Sequence, residues 1–143
     1  MTTMTINHIS MLSNPGQAKQ QDLAFALTGE MRKPDSVRFD MDSDIPEFSI
    51  SVKSSRFTLA SASALSATTF DGQLNEFSER VYSAKFAYVT KDNKVYIMNK
   101  VEFLAFCREF CGWEQESKKN GGAYKVRCRK ESKRMINWLQ ARA

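Results

Sequence analysis

Apolar and polar positions change period several times along the chain, and each change marks an element. Phe48, Ile50 and Val52 alternate with Ser49, Ser51 and Lys53, the two-residue period of a strand with one buried face. Residues 86–90 and 94–98 are two short strand candidates on either side of Lys91-Asp92-Asn93, which predicts a hairpin. In 124–129, Tyr124, Val126 and Cys128 alternate with Lys125, Arg127 and Arg129, another strand. Helical spacing takes over elsewhere. Asn14-Pro15 starts a helix, with Pro15 at its first position and Ala24 and Leu27 inside, and Thr28-Gly29 stops it. Asp71 caps a second helix carrying Leu74, Phe77 and Val81. Asn99 and Glu102 form a capping signature for a third, with Phe103, Phe106, Cys107 and Phe110 on its core stripe. Residues 131–142 make a closing helix with Met135, Ile136 and Leu139 inward.

Between these lie weaker signals. Residues 36–39 read as a short strand and 41–46 as an acidic turn, while 56–69 is a loop or a small-residue element. Residues 113–122 read as a charged loop ending in Asn120-Gly121-Gly122. The expected order is α-β-β-α-β-β-α-β-α, without internal repeat. It implies an α/β (α+β) fold in which one central mixed sheet is flanked by helices over residues 14–143. Residues 1–13 are expected to be a flexible arm.

A chain of 143 residues, 42% hydrophobic and with ten phenylalanines, suits one packed domain. No apolar run approaches the roughly 18 to 20 residues that cross a bilayer, and residues 1–13 lack the features of a secretory signal. The expectation is an intracellular, cytoplasmic protein without a membrane partner, in the host cytoplasm if phage-encoded. Cys107, Cys111 and Cys128 are odd in number and offer, with His8 as the sole histidine, no paired zinc spacing. They read as core thiols. His8 alone, with no nucleophile elbow, gives no basis for acyl-transfer chemistry. Asp40, Asp42 and Asp44 lack the glycine and glutamate of a calcium loop.

Charge changes the picture more. The net +5 conceals a division: residues 118–143 hold nine Lys/Arg and one acid, and the rest hold twelve bases and fifteen acids. Lys125, Arg127 and Arg129 would form a row of cations about 7 Å apart, near the phosphate spacing of a single strand. Lys118 and Lys119 precede that row, and Lys130, Lys133 and Arg134 follow it. These eight residues are the expected contacts to nucleic acid, DNA before RNA, or to a protein that itself handles nucleic acid. Trp113 and Trp138 suit core or rim packing better than base stacking. A homodimer is left open.

Candidate chemistry sits near the strand ending at Lys53. Ser51 and Lys53 lie two apart, and Asp44 lies where the acidic turn meets that strand. An aspartate and a lysine converging there would hold Mg2+ or Mn2+ and an attacking water, with Lys53 offsetting charge on the phosphate. The run Ser43-Asp44-Ile45 followed by Ile50-Ser51-Val52-Lys53-Ser54-Ser55 resembles the core of the PD-(D/E)XK, or restriction-endonuclease-like, superfamily. Gln21-Asp22-Leu23-Ala24 is similar to that superfamily's first helix, which commonly points a Glu or Gln at the site. The resemblance implies a metal-dependent phosphodiesterase acting on DNA, as suits a phage or mobile element. Asp44, Val52 and Glu76 would surround the ion, and Asp44, Ser51, Lys53, Glu76 and Gln21 would act in catalysis. The departure is Ser51, which stands where the superfamily has an acid; Glu76, or else Glu79 or Glu47, would have to supply the missing carboxylate. Without one, the same fold would be a basic binding module or a phage-type inhibitor docking on nucleic acid or on a nucleic-acid enzyme.

Overall fold

Two apolar strands in the middle of the chain build the spine of the fold. The computed structural model describes residues 1–31, 50–53, 58–61, 68–80, 85–115 and 124–143. Strands β4 (Lys85–Val89) and β5 (Lys94–Asn99) pair antiparallel, within a residue of the predicted hairpin, with Tyr88 opposite Tyr96. Asn93 takes a left-handed φ of 63° in the connecting turn, a conformation that asparagine tolerates better than most residues. The Thr90 side chain accepts from the Lys94 amide at 3.0 Å and is also bonded to Asp92.

Both faces of this hairpin are covered. Ala87, Val89 and Val95 pack with Ile6 and with Leu23 and Ala24 of helix α1 (Pro15–Thr28). Phe86, Tyr88, Tyr96 and Met98 face the opposite way. They pack with Phe103, Phe106, Cys107 and Phe110 of α3 (Lys100–Phe110) and with Met135 and Leu139 of α4 (Lys133–Arg142). The Phe86 and Phe103 rings stack with centroids 4.1 Å apart. A layer of apolar side chains on each side is what makes the hairpin the centre of the molecule.

The helices start and stop where local chemistry directs. Asn14 accepts from the Gln17 amide at 3.1 Å, Pro15 follows it, and Gly29 closes α1 with a left-handed φ of 78°. Asn99 and Glu102 form the full reciprocal capping box of α3. Helix α2 (Phe70–Arg80) begins two residues before the start that an Asp71 cap predicts. Thr69 rather than Asp71 is its cap: the Thr69 hydroxyl accepts from Gly72 and its carbonyl from Gln73. Asp71 lies inside the first turn, where a carboxylate suits the helix dipole, 3.6 Å from Arg108. At α4 the cap is Ser132, so Glu131 lies outside the helix.

The strands correct the sequence reading in three places. First, the flexible arm expected over residues 1–13 includes strand β1 (Thr2–Thr5), paired antiparallel with β5. Second, the charged loop expected from residue 113 is replaced, up to Gln115, by β6 (Cys111–Gln115), and the ambiguous 56–69 segment contains β3 (Thr58–Ser61). Third, the described strands form two sheets where the pattern predicts one. A four-stranded mixed sheet runs β1-β5-β4-β2, in which β2 (Ile50–Lys53) is parallel to β4. A three-stranded antiparallel sheet runs β3-β7-β6, with β7 (Tyr124–Cys128) in its centre. The fold is mixed α+β. The strand predicted at 36–39 lies outside the described residues. No described helix is long and apolar enough to cross a membrane.

Candidate nucleic-acid interface

The basic flank is set up by the change from β7 to α4. Val126 and Cys128 are buried at 1% exposure each, with half-buried Arg127 between them, so the predicted alternation of β7 holds there. Arg129 donates its amide to Phe110 O at 3.1 Å, which carries the chain out of the sheet with Arg129 and Lys130 exposed. Ser132 then caps α4 by accepting from the Met135 amide at 3.2 Å. Lys133 and Arg134 occupy the first turn, which contains no acidic residue. Cations there face the positive end of the helix dipole, an arrangement worth about 0.3 to 1 kcal/mol in the unfavourable sense for each. Glu131, just before the cap, accepts from the Lys91 amide at 3.1 Å.

The eight expected cations divide by environment. Arg129, Lys130 and Lys133 are exposed at the junction. Arg134 is committed: it bonds Glu109 Oε1 at 2.6 Å, and its guanidinium lies 4.7 Å from the Phe110 ring centroid. Lys125 sits in the central strand in register with Glu114, and Arg127 in register with Gly112 and Thr58. The row expected along β7 therefore has an acid at a neighbouring strand position. Lys118, Lys119 and the Gly121-Gly122 pair lie outside the described residues. Trp138 packs edge-on against Phe110 at 5.6 Å and Phe106 at 6.0 Å, in keeping with rim packing; Trp113 is a β6 residue.

Of the residues expected around a metal, Ser51, Val52 and Lys53 lie on β2, in register with Phe86, Ala87 and Tyr88. Helix α1 packs against β2. Gln21 is on that helix, and its carboxamide oxygen accepts from Ser10 Oγ at 2.8 Å. Glu76, half-buried, and Glu79, exposed, are on α2, which packs against α3 and β7. Asp44, Glu47, Asp40 and Asp42 lie outside the described residues. Among the described residues no group of three or more His, Cys, Asp and Glu side chains is placed to hold a metal ion.

Sequence reasoning missed a polar site at the other end of the chain. The Asp22 carboxylate is fully buried and accepts from the amides of Ile9 at 3.0 Å and Ser10 at 2.8 Å. It also meets His8 Nδ1 at 2.8 Å. His8 is thus tied down rather than loose. The available signal was an acid four residues after Ala18, on the same stripe of α1 as that buried alanine. Nearby, Lys19 Nζ donates to the Thr90 carbonyl at 3.0 Å, and burial lowers its pKa against the opposing pull of Glu131 and Asp92. The Thr90 hydroxyl holds Asp92 below the usual carboxylate range.

The three cysteines form one cluster. Cys111 is opposite Cys128 across β6 and β7, and Cys107 is one helical turn before Cys111. The bond with Cys107 and burial push the Cys111 thiol up, opposed by its bond with Cys128, while the bond with Cys111 and burial push Cys128 up. All three are core cysteines, in line with the sequence reading, and the Cys111 and Cys128 thiols are held in the neutral form. No protein-family model, curated protein or solved structure matches the chain.

Proposed function

We propose that the protein binds the phosphate backbone of nucleic acid, DNA in the first instance, through the junction between β7 and α4. The observation that carries this reading is the exposed group Arg129, Lys130 and Lys133 at the dipole-positive end of α4, with no acid in the helix's first turn. Cations held against a helix N-terminus repel one another and the dipole, and an anion laid across them relieves both. Phosphates do this without base readout.

Fluorescence anisotropy with labelled single- and double-stranded oligonucleotides tests the reading. Affinity should fall steeply with salt, as counterion release requires. The triple substitution Arg129→Gln, Lys130→Gln, Lys133→Gln should weaken binding at least tenfold and flatten the salt slope by up to about 0.9 per lost phosphate contact. Arg134→Gln should matter less, because Glu109 already holds that side chain. Unaltered affinity in the triple variant would refute the assignment.

A metal-dependent phosphodiesterase is the second reading. Supporting it, Ile50–Lys53, the described part of the run that resembles the PD-(D/E)XK core, is a strand packed by α1, the helix that carries Gln21. Supercoiled plasmid incubated with Mg2+ or Mn2+ is the assay. Cleavage lost in both Asp44→Ala and Lys53→Ala would establish it, and intact plasmid beside salt-sensitive binding would leave the domain as a binding module. Capture of a nucleic-acid enzyme, without affinity for nucleic acid itself, would identify the docking inhibitor instead.

A further inference from the structure

The cleft between the start of α1 and the turn after β4 has a construction of its own. It encloses about 360 Å³ and is lined by His8, Ser13, Lys19, Lys91 and Asn93, among others. Among the described residues no carboxylate lines it. Two of its three basic side chains are held in place from behind. Asp22, its carboxylate fully buried and bonded to two backbone amides, fixes the His8 ring through Nδ1. Nε2 is then the ring nitrogen without a partner among the described residues, on a side chain 60% exposed. Lys19 Nζ is anchored by the Thr90 carbonyl at 3.0 Å, with that of Val89 at 3.5 Å. Lys91 is exposed, and its amide is fixed by Glu131.

We infer that this cleft is a binding site for a phosphate dianion, either inorganic phosphate or a phosphate monoester. The chemistry is complementary. Lysine ammonium groups and a hydroxyl present several donors in one concavity, and phosphate offers acceptor oxygens on all sides. Asp92 and Glu131 lie close enough to act on Lys19, yet neither lines the cleft. Glu131 is occupied by the Lys91 amide and Asp92 is bonded to the Thr90 hydroxyl. The site adjoins the Arg129–Lys133 segment through Glu131, which holds the Lys91 amide, but Arg129, Lys130 and Lys133 are not among the residues that line it.

His8 is the sole histidine of the chain, so its ring proton resonances report on the site without assignment ambiguity. Inorganic phosphate added to the intact protein at constant ionic strength should shift those resonances saturably in the millimolar range. Lys91→Gln, an exposed substitution, should weaken the response about tenfold, the effect of losing one charge-assisted bond. The triple substitution at Arg129, Lys130 and Lys133 should leave it intact, which separates this inference from the nucleic-acid surface. A 5′-phosphorylated oligonucleotide that shifts the resonances where its 5′-hydroxyl counterpart does not would identify a strand end as the source. Equal response to a mononucleotide would point to a free small molecule, and both results support the site. Resonances that stay fixed in phosphate, or a response unchanged by Lys91→Gln, would overturn it.

Discussion

The two ends of the chain are fastened by opposite means. The C-terminal helix α4 buries Met135 and Leu139 completely and sets Trp138 against Phe106 and Phe110. The N-terminal segment buries Ile6, packs Met1 and Met4 only partly, and leans on polar fastenings: backbone pairing of β1, the Met1 amine on Glu102 and the Asp22 carboxylate. The first kind of attachment is insensitive to exact geometry and scales with area removed from water. The second depends on a few bonds whose loss leaves buried groups unpaired. An apolar stripe announces itself in sequence, whereas one acid receiving two amides does not.

Substitutions can break this contrast. The largest effect is expected from Leu139→Ala, which should destabilise the protein by about 3 kcal/mol through lost burial and the cavity left behind. Urea unfolding would measure it, and a loss well under about 1 kcal/mol would mean that α4 is not held by its apolar face. Asp22→Ala should follow at about 2 kcal/mol, because it strands the amides of Ile9 and Ser10. Hydrogen exchange at those two amides should accelerate far more than exchange along β4. Uniform protection in that variant would show that the N-terminal segment is held by something other than the carboxylate.

A subtler test uses pH. The Cys111 and Cys128 thiols are raised above their ordinary 9.0 by hydrogen bonding to neighbouring thiols and by burial. Above about pH 9 the unfolded chain releases these protons while the folded one retains them. Their contribution is therefore complete below that pH and declines above it, by up to about 1.4 kcal/mol per pH unit for each thiol. Comparing the alkaline slope of unfolding free energy with that of a Cys111→Ser, Cys128→Ser variant isolates the effect. Matching slopes would contradict the burial of these thiols in neutral form.

What sequence revealed follows the same division. Helix α1, the β4–β5 hairpin and α3 were legible because their signals are local: Asn14-Pro15, the turn Lys91-Asp92-Asn93 between two apolar runs, and the Asn99/Glu102 box. Strand β1, Thr-Thr-Met-Thr, has three exposed positions and one half-buried one, so no apolar period marks it. Cys-Gly-Trp-Glu-Gln in β6 is masked in the same way by its polar residues. The basic flank was visible as a charge count. Which of its cations are committed was not, since Arg134 finds Glu109 only across 25 positions of sequence. The His8–Asp22 contact spans 14 positions and joins residues of no shared pattern.

The contiguity of β4, β5 and α3 has a kinetic corollary. Phe86, Tyr88, Tyr96, Met98, Phe103 and Phe106 meet within a stretch of barely twenty residues, so closing their contacts costs little loop entropy. Parallel pairing of β2 with β4 and docking of α1 each require far longer excursions. The middle of the chain should thus order first, with high φ-values at Phe86 and Phe103 and low ones in α1, and both termini condensing onto that nucleus afterwards.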